Sequence, residues 1–159
     1  MPDERLAKEL RPKPTDVAIA DLDAASRDRL ADAKVLAAAG RPASAIAAGL
    51  YALEIRLKVL VCKRLDLPAL RTAFQIHDLE GLLVLSGLER RIEDPSVSHV
   101  KVNWDAILTL AASLNELRYS PAGSPRLPIG ARRPRDAVTF LAWLEDPQDG
   151  ALSWISSQP

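Results

Sequence analysis

The chain has 159 residues, 48% of them hydrophobic, with Lys+Arg and Asp+Glu balanced at 21 each. That length suits one domain with its own core, and the apolar content excludes a disordered chain. Zero formal net charge excludes bulk electrostatic attraction to nucleic acid or an anionic membrane, though not a local basic patch. The one cysteine, Cys62, cannot form an internal disulfide, so a reducing, cytoplasmic setting is expected. The opening MPDERLAKELRPKP lacks the apolar core of a signal peptide, and no apolar run approaches a membrane span.

In chain order, residues 1–14 read as a loose charged arm stiffened by Pro12 and Pro14. Thr15 or Asp16 is expected to cap a first helix running to Ala39, with Val17, Leu22, Leu30, Val35 and Leu36 on its apolar side. Gly40 stops that helix and Pro42 opens the next, predicting an antiparallel hairpin.

The second helix, centred on Ala45 to Leu65, organises the chain. Ile46, Leu50, Leu53, Leu57, Leu60 and Val61 share one broad face, and Tyr51, Ile55, Val59 and Cys62 cover most of the other. A helix apolar nearly all round belongs inside a bundle. Glu54 and Lys58, at i and i+4, break the pattern, and buried charge is costly unless paired.

Asp66-Leu67-Pro68 ends the central helix, with a short helical turn expected through Phe74. Asp78 is a good N-cap for a third helix over Leu79, Leu82, Leu83 and Leu85, which Gly87 ends. Residues 88–102 are ambiguous. Asn103 is expected to cap a fourth helix, Trp104 to about Tyr119, and Arg118 falls within its apolar arc. Residues 120–134 hold Pro121, Pro125, Pro128 and Pro134, with Gly123 and Gly130, and read as an exposed loop. Pro134 opens a fifth helix, and Pro147 and Gly150 interrupt it before a last turn around Trp154 and Ile155. With no strand alternation, repeat or heptad run, the expectation is all-α. The bundle spans 15–119 as an antiparallel, up-and-down arrangement of four main helices, and a C-terminal helical segment, 135–159, packs on it.

Three segments carry polar residues that a plain bundle does not need: Tyr51, Glu54 and Lys58 in LYALEIRLKVLV, His77-Asp78-Leu79 before a run of leucines, and Arg118-Tyr119 ahead of Pro121. In that order they resemble the HEPN superfamily, small helical domains of higher eukaryotes and prokaryotes associated with nucleotide binding. The resemblance covers roughly residues 43–121. It implies a HEPN-like bundle and a homodimer. Many members are toxins or RNases in bacterial defence and toxin–antitoxin systems, and others are non-catalytic modules that accompany a minimal nucleotidyltransferase. It therefore also implies RNA, a nucleotide or a nucleotidyltransferase-like antitoxin as partner. RNase members resemble one another in an Arg-x(4–6)-His motif near the end of the last core helix. There Arg steadies the scissile phosphate and His moves the proton.

This chain departs from that motif, because no histidine follows Arg118. A formal Arg-x5-His occurs instead at Arg71 to His77, ahead of the third helix. Two functional readings follow: a binding groove using Lys58, Arg118 and Tyr119, supported by Glu54, Asp78 and Tyr51, or metal-independent RNA cleavage by Arg71 and His77, with Arg118 as a candidate third member. A purely structural interaction subunit is the third. Equally, Glu54, Lys58 and Arg118 read as an ion-pair network that fixes helix register, and Asp78 as a helix cap beside a hydrogen-bonded His77. The arginines Arg126, Arg132, Arg133 and Arg135 read as phosphate contacts or as a solvated loop. His99 is the only other histidine, so three metal ligands cannot be assembled convincingly, and no metal or cofactor is expected.

Overall fold

A computed structural model describes residues 16–159; the arm at 1–14 and the capping candidate Thr15 lie outside them. The described chain is mostly helical. In order its α-helices are α1 (Ile19–Ala38), α2 (Pro42–Arg64), α3 (Leu79–Ser86), α4 (Glu89–Ile92), α5 (Ser98–Ala111), α6 (Leu114–Tyr119), α7 (Pro134–Glu145) and α8 (Ala151–Ser156). Among the described residues no helix is long and apolar enough to cross a membrane.

The α2 helix is the axis of the molecule, as its sequence demands. It runs roughly 35 Å at 1.5 Å per residue, and it meets α1, α3, α6, α7 and α8. Ile46, Leu53, Leu57 and Val61 on it are fully buried. Gly49 is required where α7 crosses, because a Cβ there would meet Leu144 Cδ1 at 2.9 Å and the Phe140 ring. The α1–α2 hairpin is antiparallel: Ser26 Oγ donates to Ala52 O at 2.8 Å, and Arg56 pairs with Asp23 at 2.7 Å. Gly40, at φ +70°, makes the corner between them, and Pro42 starts α2.

Asp78 and Gly87 bound α3 as expected. The Asp78 carboxylate accepts from Glu80 N at 3.2 Å and Gly81 N at 3.1 Å, and Gly87 closes the helix at φ +80°. The turn before it is a 3₁₀ segment, Thr72–Phe74.

Four local expectations are corrected. First, α1 begins only at Ile19, with Ala18 at the cap position and no side-chain capping bond. The residues just before it pair antiparallel with those after α2, in a two-residue ladder of Val17–Ala18 (β1) against Ala69–Leu70 (β2). So short a ladder leaves no alternation to detect. Second, Asn103 is not a cap. The fourth helix starts five residues earlier, at Ser98, and Asn103 Nδ2 instead donates to Asp149 O at 2.8 Å, tying α5 to the turn before α8. Third, that helix is not continuous: it breaks after Ala111 and restarts at Leu114 as α6. Fourth, 120–134 is not simply exposed. Leu127 and Ala131 are buried, and the Arg132 guanidinium braces the turn by donating to Leu127 O and Pro125 O at 2.9 and 3.0 Å.

Candidate functional site

Tyr51, Glu54 and Lys58 fall at i, i+3 and i+7 of α2, so they line one stripe of that helix. The lower part of the stripe is closed. Glu54 and Lys58 are each only 5% exposed, and Lys58 Nζ donates to Glu54 Oε1 at 2.5 Å. The same oxygen lies 3.0 Å from His77 Nδ1. A carboxylate only accepts, so Nδ1–H donates and Nε2 is left free of Glu54. His77 itself is largely exposed, its side chain at 74%. It directly precedes the Asp78 cap, so the helix start that fixes Asp78 also aims the imidazole. Asp78 spends its carboxylate on the backbone of α3 and stands outside the cluster.

The upper part of the stripe is open. Leu117 of α6 packs into the core and carries Arg118 over Tyr51, with Cζ 5.8 Å from the ring centroid. Arg118 also stacks on Tyr119, 4.9 Å from its centroid, and donates to the Tyr119 hydroxyl at 2.7 Å. The expectation that Arg118 would be buried is overturned: it is exposed, and Tyr119 is 72% exposed. No described carboxylate pairs with Arg118. Of the three charges expected to converge, two are paired in the interior, while the third stands at the surface beside Tyr51.

Two depressions meet at Arg118. One, of about 350 Å³, lies between α1, α2 and α6 and is lined by Arg29, Tyr51, Arg118 and Tyr119. The other, of about 320 Å³, lies between the α1–α2 corner and the 120–134 segment, and Arg41, Arg118 and Arg132 line it. Ser44, Leu117 and Arg118 belong to both, so the two adjoin along these residues as one two-part trough. Among the described residues no Asp or Glu lines either part, although Asp32 pairs with Arg29 at 2.9 Å. The second part also holds the start of α2, where Arg41 makes no side-chain cap and Pro42 occupies the first turn. The first amide N–H groups of α2 therefore add positive potential to that of the arginines.

Sequence reasoning missed Arg29 and Arg41 as trough residues. Each looks like an ordinary surface charge, and only the hairpin brings them beside α6. Of the loop arginines, Arg132 reaches the trough, while Arg126 and Arg135 lie outside it and Arg133 pairs with Asp136 at 3.9 Å. Arg71 sits half-buried at the start of the 3₁₀ turn before His77. Among the described residues no group of three or more His, Cys, Asp or Glu side chains could hold a metal ion.

Away from the trough, burial opposes ionisation of Asp23, but Arg56 and Arg27 hold its carboxyl below the usual carboxylate range. Burial pushes the Cys62 thiol up, consistent with an inert packing role.

Comparison with protein-family models, with curated proteins and with solved structures yields no match to this chain.

Proposed function

We propose that this chain is a HEPN-type antiparallel helical bundle, acting as a homodimer in a bacterial defence or toxin–antitoxin setting, that binds RNA or a nucleotide through the Arg118 trough. Binding, rather than catalysis, is its primary activity. What carries the reading is Arg118 itself. Its guanidinium is exposed, lies over two tyrosine rings, has no carboxylate partner among the described residues, and is shared by two depressions that no described Asp or Glu lines. A stacked guanidinium is held in place yet keeps most of its N–H donors available, which suits a phosphate. Lys58, by contrast, is committed to Glu54 and supports the helix rather than the ligand.

The test is fluorescence anisotropy of a labelled single-stranded RNA with the full chain across a salt series. Binding should weaken steadily with salt, and Arg118→Ala should lower affinity by about tenfold or more. RNA that fails to bind even at low salt, or binds Arg118→Ala equally well, would overturn the reading.

Metal-independent RNA cleavage by Arg71 and His77 is the second reading, and one contact favours it. Glu54 occupies His77 Nδ1 and so leaves Nε2 for proton transfer at the surface. It predicts cleavage in the presence of a chelator that disappears in His77→Ala; equal rates in the two proteins would eliminate it.

A further inference from the structure

We infer that the trough takes two consecutive nucleotides of a single strand, with the phosphate that joins them held at Arg118. The inference rests on the binding reading above and specifies its ligand.

Four observations lead to it. First, the trough has two compartments, of about 350 and 320 Å³. Each is near the lower end of small-ligand pockets, roughly 300–1,000 Å³, and suits one nucleotide-sized unit better than an extended chain. Second, Arg118 belongs to both compartments, so a group contacting its guanidinium lies at their junction. A bridging phosphodiester is the anionic group that nucleic acid places between two such units. Third, the compartments differ in chemistry. The first has the rings of Tyr51 and Tyr119, and Tyr119 is 72% exposed, which leaves ring surface for a base to stack on. The second has Arg41 and the uncapped start of α2, which suit the following phosphate, while Arg132, donating to Leu127 O and Pro125 O, forms its wall. Fourth, with zero net charge the chain has no broad positive field to grip a duplex backbone, and stacking on tyrosine requires an unpaired base. An acidic peptide would satisfy the arginines but leave the exposed ring unused.

Titration calorimetry of the full chain separates the possibilities, using AMP, the dinucleotide pApA, the tetranucleotide pApApApA, a short RNA duplex and a tetraglutamate peptide. The dinucleotide should bind about tenfold tighter than AMP, and the tetranucleotide should add no more than about threefold. Arg118→Ala should weaken pApA by about tenfold or more and AMP by less, so that the gain from one nucleotide to two shrinks. Tyr119→Ala should weaken AMP and dinucleotide alike. Because both side chains are exposed, these variants should fold, and an unchanged circular dichroism melt confirms it. AMP binding as tightly as pApA would overturn the two-nucleotide inference and leave the proposed binding function standing. Binding of tetraglutamate or duplex equal to that of pApA would also overturn it. If none of the nucleic-acid ligands binds, the inference and the proposed function fall together.

Discussion

The two halves of the α2 stripe make an instructive contrast. Glu54 and Lys58 lie on the same helix face as Tyr51, one and two turns further along. At the lower end the charges are buried, they neutralise each other, and His77 adds a second contact to Glu54. At the upper end Arg118 has aromatic rings for neighbours and open solvent above. A charge inside a low-dielectric core survives only with a partner, whereas a charge laid on a ring at the surface remains available to a ligand. The lower end is therefore tied to stability and the upper end to recognition, and substitutions should separate the two.

The largest effect is expected at the buried pair. Lys58→Ala strands the Glu54 carboxylate in the interior and should cost about 3–5 kcal/mol in a denaturant melt. Replacing both members, Glu54→Leu with Lys58→Met, removes the two charges together and should recover most of that loss. Arg118→Ala should leave the melt within about 0.5 kcal/mol of the parent while weakening RNA binding. If Lys58→Ala proves as mild as Arg118→Ala, the division between the two ends is lost.

A smaller effect tests the aiming of His77. Asp78→Ala removes the α3 cap and should cost about 1 kcal/mol. Asp78→Asn keeps an acceptor for the same backbone amides and should cost less. An Asp78→Ala protein that melts like the parent would show that the helix start does not depend on this carboxylate.

How much of this was legible in the sequence depended on whether the signal was local. The near-continuous apolar surface of 42–64 marked α2 as the centre, and Asp78 and Gly87 marked α3, because caps and burial patterns act over a few residues. The start of α5 was not legible. Ser98-His99-Val100-Lys101-Val102 carries two β-branched residues and no side-chain cap of its own, while Asn103 ties the helix to Asp149 O by a contact that no local pattern announces. The break near Ala112-Ser113 has neither Pro nor Gly to announce it. That break explains the misplacement of Arg118. On one uninterrupted helix from Trp104 the angle of Arg118 falls in the apolar arc, whereas restarting the helix at Leu114 resets the phase, with Leu117 inward and Arg118 outward. The trough itself joins Arg29, Arg41, Arg118 and Arg132 across wide sequence separations, and no periodicity encodes such a meeting.

The smallest expected effect concerns the α1–α2 clamp, which serves as a second contrast to the trough. Asp23 receives Arg56 at 2.7 Å and also pairs with Arg27. Burial opposes its ionised form, yet the two arginines hold the folded carboxyl below its usual value. A carboxyl depressed by folding stabilises the native state above its unfolded pKa of about 3.9, and that contribution disappears as pH falls through the lower folded value. Stability should therefore decline on the acid side below about pH 4, and Asp23→Asn should show a shallower decline there together with a lower plateau near neutrality. Because Arg56 is mostly buried between the helices and Arg27 is mostly exposed, Arg56→Ala should erase more of the pH dependence than Arg27→Ala. Chemical denaturation between pH 2 and pH 7 measures both, and equal acid limbs in the parent and Asp23→Asn would show that the clamp holds no net charge energy. Unlike Arg118, each arginine here already has its anion, and that is why this end of the molecule contributes to the fold and offers nothing to a phosphate.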